Sequence, residues 1–167
     1  MNTRRAFTII EAVICSIVVA LMAVAAGGAV AGATRARTEL ATRALAIATA
    51  DMLLAEILTR SYADPQTPDA ALGTDAGESI LTRSSLDDVD DYNGLILSPI
   101  TDRSGEAVAP VSLACRIKIE QFDTATMMPT TLSRTGLARI TIDILQGTRV
   151  IATRVAFRAR QGIGAVP

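Results

Sequence analysis

The chain has 167 residues, a formal charge of −1 and a mean hydropathy of +0.37, with 50% of its residues hydrophobic. That length suits one modest domain, and the charge balance excludes an overall basic nucleic-acid binder. There is no His and no Trp, and the two Cys lie far apart. Ser-His-Asp triads, Cys-His pairs, His-ligated metals and zinc ribbons are therefore excluded.

Residues 7–33 read FTIIEAVICSIVVALMAVAAGGAVAGA, with Glu11 as the only charge. As a helix this stretch reaches about 40 Å at ~1.5 Å per residue, more than the ~30 Å hydrocarbon core of a bilayer. It can cross a membrane once. Arg4 and Arg5 precede it and favour a cytoplasmic N-terminus, although Arg35, Arg37 and Arg43 follow it and weaken the asymmetry. Three readings compete. Ala31-Gly32-Ala33 before Thr34 meets the small-x-small rule of a cleaved secretory signal. A plain anchor is the second. The third gives Glu11 a purpose.

A carboxylate at the centre of a membrane helix costs roughly 2.5–3.5 kcal/mol, and less near the interface. Glu11 either snorkels to the headgroups or has a partner. A cut between Ala6 and Phe7 supplies one, because it frees an α-amine that is largely protonated near neutral pH. The amine and the Glu11 carboxylate of an adjacent copy would neutralise each other in an apolar bundle and set the register of neighbouring helices.

The run Arg4-Arg5-Ala6-Phe7-Thr8-Ile9-Ile10-Glu11-Ala12-Val13-Ile14 resembles the class III signal of type IV pilins and type II secretion pseudopilins: a basic leader, a small residue, then Phe-Thr-Leu-Ile-Glu and an apolar helix. The family usually carries Gly before the cut, where this chain has Ala6. The resemblance implies that a prepilin peptidase cleaves between Ala6 and Phe7 and methylates Phe7. It also implies that Glu11 is the assembly residue. Residues 1–6 would be a leader, 7–33 the transmembrane and filament-core helix, 34–61 its amphipathic continuation and 62–167 a globular domain.

Between Thr34 and Ser61 there is no Gly or Pro, and helix formers dominate. Leu40, Ala44, Ile47, Leu54 and Leu58 recur at helical steps, with Ala41, Leu45, Ala48, Met52 and Ala55 beside them. Glu39, Thr42, Thr49, Glu56 and Arg60 gather opposite, and Asp51 interrupts the apolar side. The pattern predicts one helix over residues 7–60, with Gly27, Gly28 and Gly32 as its soft region. Residues 62–79 carry no periodicity and read as loop.

Asp87, Asp88, Asp90 and Asp91 follow in LDDVDDYN. An EF-hand aligned on Gly94 fails, because Val89 and Ile100 stand where acids are needed. A solvated acidic loop is the expectation, with a looser calcium site as the alternative. Four adjacent carboxylates repel unless a cation, Arg83 or Arg103 stands near.

Three alternating runs follow. Leu113, Cys115, Ile117 and Ile119 form the apolar side of the first. Ala138, Ile140, Ile142 and Ile144 form that of the second. Ile151, Thr153, Val155 and Phe157, opposite Arg154 and Arg158, form that of the third. The last two flank Gln146-Gly147 and read as a hairpin, and residues 121–136 read as a loop between strands. Cys115 points to the core, and no disulfide with Cys15 is expected. The fold class is α+β: a long N-terminal helix, half transmembrane and half amphipathic, on a small antiparallel sheet, as in pilin-like proteins. ALAIATADMLLAE (residues 44–56) is similar to the helix of minor I-type pseudopilins, and DYNG with SPITDRSG resembles a region of bacterial prepilin-like proteins.

The expected function is a non-catalytic pilus or pseudopilus subunit. Its partners would be other pilin or pseudopilin subunits, the prepilin peptidase and the bacterial inner membrane, with the C-terminal domain extracytoplasmic. Cofactor, metal and nucleic acid are not expected. The alternatives are a single-pass membrane-anchored extracytoplasmic binding protein with no filament role, and a small exported hydrolase using two carboxylates from residues 87–91.

Overall fold

The computed structural model describes residues 8–64, 73–74, 78–79, 83–130 and 136–160. The chain divides into two units, residues 1–42 and 43–167. One helix, α1 (Ile9–Leu58), belongs to both. It runs through Gly27, Gly28 and Gly32 without a break, so the expected soft region leaves no interruption.

In the first unit every described residue up to Ala41 is exposed. Ile9, Leu21, Val24 and Val30 are each at least 65% exposed. The polar residues here satisfy themselves within the helix: the Ser16, Thr34, Thr38 and Thr42 hydroxyls each donate to the carbonyl four residues back, at 2.8–3.0 Å. The helix is long and apolar enough to cross a membrane.

In the second unit α1 packs on a five-stranded antiparallel sheet. The strands are β1 (Ile96–Leu97), β2 (Leu113–Asp123), β3 (Pro129–Thr130), β4 (Gly136–Gln146) and β5 (Arg149–Ala159). Their order is β1-β2-β4-β5, and β3 also pairs with β2. The expected loop at 121–136 is thus shorter: β2 runs on to Asp123 and β3 pairs back on it. The stretch between β1 and β3 on β2 is covered by residues 93–95, through Ile117 N–H to the Leu95 carbonyl and Ile119 N–H to Asn93 Oδ1. One edge of the sheet is therefore closed by chain, and β5 forms the other edge, carrying Arg149, Arg154 and Arg158. Charge on an edge strand discourages further pairing.

The β4–β5 hairpin turns at Gly147-Thr148, with Gly147 at φ +61°. Glycine at the first central position is what a type II′ turn requires. The expected hairpin is present, but β5 shows its other side to the helix. A bulge lies at Ile144/Leu145: Leu145 pairs with Val150 and Ile144 with Ala152, leaving Ile151 as the extra residue. A one-residue insertion exchanges the two sides of everything beyond it. Ile142 therefore faces Arg154 and Ile140 faces Ala156. Val155 and Phe157, expected in the core, are 52% and 53% exposed on the outer side. There Phe157 packs edge-on against Phe122, with ring centroids 6.0 Å apart, and Arg139 lies 4.9 Å over the Phe122 ring.

The helix also turns a different side to the sheet than its leucines indicate. Ala46, Thr49, Ala50, Leu53 and Ile57 are buried, whereas Ala44, Leu45, Ala48, Met52 and Ala55 are exposed. Ile47, Leu54 and Leu58 flank the contact. Small residues let helix and sheet approach closely, so alanines and Thr49 take the centre. Asp51 does not interrupt the core, because it pairs with Arg154 of β5. The core continues through Leu113, Cys115, Ile117, Ile140, Ile142 and Ile144, all at most 1% exposed. Ala50→Leu should destabilise the domain by about 1–3 kcal/mol through overpacking, whereas Leu45→Ala should leave the denaturation midpoint nearly unchanged; chemical denaturation of the full chain in mild detergent reads both.

Candidate functional site

Two of the three residues expected to carry processing and assembly, Ala6 and Phe7, lie outside the described residues. Glu11 sits in the first turn of α1, exposed among Ile9, Ile10, Val13 and Ile14. Its backbone N–H donates to the Thr8 carbonyl at 3.1 Å and to Thr8 Oγ1 at 3.3 Å. Thr8 and Glu11 thus have the spacing of a capping box, and an acid in a first turn is favoured by the helix dipole. Glu11 can start the helix and still present its carboxylate at the helix surface.

The acids at 87–91 are not a solvated loop. Asp88, Asp90 and Asp91 are at most 3% exposed and build a short 3-10 turn, Asp90–Tyr92. Asp88 Oδ1 accepts from the N–H groups of Asp90 and Asp91, at 2.8 and 3.1 Å. Asp91 Oδ2 accepts from those of Asp87 and Asp88, both at 3.0 Å. This reciprocal arrangement is a capping box made of two aspartates. Asp90 Oδ2 accepts from Gly73 N–H at 2.9 Å, while its Oδ1 is buried without a partner.

Neither arginine expected to neutralise these acids does so: Arg83 pairs with Glu56, and Arg103 donates to the Ser84 carbonyl. Glu78, Asp87 and Asp91 each bring one carboxylate oxygen within 4.8 Å of the others, the one such grouping of metal-type ligands among the described residues. Burial, then the charges of Asp90 and Asp91, pushes the Asp88 carboxyl up to about 8. Burial, with Glu78 alongside, pushes Asp91 up to about 7 against the pull of its backbone donors.

Both carboxyls therefore hold their proton more tightly in the fold than in the unfolded chain. Their stabilising effect is full at acid pH and is lost as pH rises through about 7 and 8. The melting temperature should rise by several degrees from pH 9 to pH 6. It should fall again in stronger acid as groups such as Glu120, held low by Lys118 and Arg139, become protonated. Asp88→Asn with Asp91→Asn keeps acceptors in the box and should flatten the rise between pH 6 and 9, as read by differential scanning fluorimetry.

A third feature escaped the sequence. The Arg83 guanidinium, 3% exposed, grips both oxygens of Glu56 and donates to the Thr101 carbonyl. The Tyr92 hydroxyl donates to Glu56 Oε1 at 3.0 Å and accepts from Arg60 Nε at 3.3 Å. This chain of polar contacts ties α1 to residues 83–101. Glu56, read as a surface residue, is its centre. The signal was faint: a carboxylate among helical apolar residues, with its arginine 27 positions on.

Cys115 is buried in the core as expected, and burial pushes its thiol up to about 12, so it is inert at neutral pH. Both cysteines are free. Comparison with family profiles, with curated proteins and with solved structures returned no match.

Proposed function

We propose that this chain is a pilin-like subunit of a type II secretion pseudopilus or type IV pilus, of the minor I type by its helix sequence. In this reading a prepilin peptidase cuts it between Ala6 and Phe7 and methylates Phe7, and it assembles through α1. The observation that carries the reading is a single acid, Glu11, in the first turn of a helix whose apolar residues up to Ala41 all lie exposed, while the same helix continues as the backing of a sheet domain. A bare apolar helix needs lipid or other helices around it. A filament provides the second after a membrane has provided the first.

The chain would enter the bacterial inner membrane with its N-terminus cytoplasmic and its sheet domain outside. Its partners would be neighbouring subunits and the peptidase, and its role would be structural. Mass spectrometry of the native protein decides. A mature N-terminus at methylated Phe7 supports the subunit. An intact Met1 would instead make it a membrane-anchored binding protein, and a start at Thr34 an exported domain.

A further inference from the structure

Where α1 ends, residues 59–63 and the last part of β5 line a cavity of about 340 Å³ that is open to solvent. Its volume lies within the ~300–1,000 Å³ typical of small-ligand sites. Arg60, Arg158 and Arg160 line it, with Ser61 beside them. The β5 bulge puts Arg158 on this side: without the extra residue Ile151, Phe157 would pair with Ala138 and Arg158 would face outward. Arg160 is set by its N–H bond to the Gly136 carbonyl at 2.9 Å.

These guanidiniums lack what four other arginines of this domain have, a carboxylate partner. Arg83, Arg116, Arg139 and Arg154 each meet a carboxylate. Among the described residues no carboxylate meets Arg60, Arg158 or Arg160. Arg60 Nε donates to the Tyr92 hydroxyl at 3.3 Å. Arg158 gives one N–H to the Arg60 carbonyl at 3.4 Å, and its Nε, shielded from solvent, meets no acceptor. The C-terminus of α1 contributes about half a negative charge against three full positive ones. Like charges gathered around one cavity repel, and an unmet buried N–H is costly. An anion with several oxygens relieves both, because the planar fork of Arg matches phosphate and carboxylate.

We propose that this cavity binds a small, multiply charged oxyanion, of phosphate or polycarboxylate type, held by Arg60, Arg158 and Arg160. An anion here is independent of whether α1 joins a filament, and its test needs no filament. Isothermal titration of the full chain in a neutral detergent, at fixed ionic strength in chloride, uses inorganic phosphate and citrate as probes. Saturable binding of one per chain by either probe is expected, and the probe that binds identifies the geometry. Arg160→Gln and Arg158→Lys should each weaken it at least tenfold, the second by removing the fork while keeping the charge. Arg149→Gln, at the far end of the same strand, should leave it unchanged. If Arg158→Lys fails to fold, Arg160→Gln alone decides. No saturable binding of either probe at millimolar concentration overturns the proposal, and so does an equal loss in Arg149→Gln, which would reduce the effect to general charge.

Discussion

Arg83→Met should destabilise the sheet domain by about 3–5 kcal/mol, the range seen when one partner of a buried ion pair is removed. Arg83 and Glu56 have side chains only 3% and 15% exposed. Without the guanidinium, Glu56 keeps, among the described residues, the Tyr92 hydroxyl, and the Thr101 carbonyl loses the Arg83 donor. Against a typical total stability of about 5–15 kcal/mol, that loss leaves a marginal fold. The double variant Arg83→Met, Glu56→Met should recover much of it, since an apolar pair of similar volume often replaces a buried ion pair at little cost. Urea denaturation of the full chain in mild detergent reads both. A loss below about 1 kcal/mol for Arg83→Met would put the pair in the class of surface salt bridges.

If the chain is the filament subunit proposed above, Glu11→Ala should leave synthesis and cleavage at Phe7 intact while incorporation into the filament falls by on the order of a hundredfold, the consequence of leaving a buried amine of the neighbouring subunit unpaired at a cost of several kcal/mol. In the proposed reading the cut falls between Ala6 and Phe7, which the variant keeps. Quantitative immunoblotting of sheared filaments against the membrane fraction measures the ratio, and mass spectrometry confirms processing. Normal incorporation of Glu11→Ala would leave Glu11 as a helix-starting residue paired with Thr8 and remove the register role. Glu11→Gln separates the two: it keeps a hydrogen-bonding side chain at the third helical position but removes the charge, so it should fail in assembly while preserving the helix start.

The long helix and the three principal strands were legible because their signals are local. No proline falls between Phe7 and Tyr62, and a helix needs little more than that and good formers. The alternation Leu113, Cys115, Ile117, Ile119 and the isoleucines of β4 match a sheet with one covered side. The α+β class followed from placing these beside the helix. The acids of LDDVDDYN were visible as a group, but their purpose was not. A capping box of aspartates has the same composition as a solvated loop, and only the burial of Asp88 and Asp91 separates the two. The candidate site divides in the same way: Glu11 is conspicuous in any reading of the chain, while Arg158 looks like an ordinary solvent-facing residue of an alternating strand.

By itself the sequence determined that an apolar helix carries one acid near its start and continues into an antiparallel α+β domain, because periodicity, charge and the absence of breakers are properties of neighbouring residues. The tertiary structure alone decided which sides meet. The alanine side of α1 faces the sheet because packing distance favours small residues over the leucine stripe. The β5 pattern is inverted because one unpaired residue, Ile151, exchanges inside for outside. Glu56 is bound to Arg83, and three arginines share one cavity, because chain segments far apart in sequence are brought together only once the register is set.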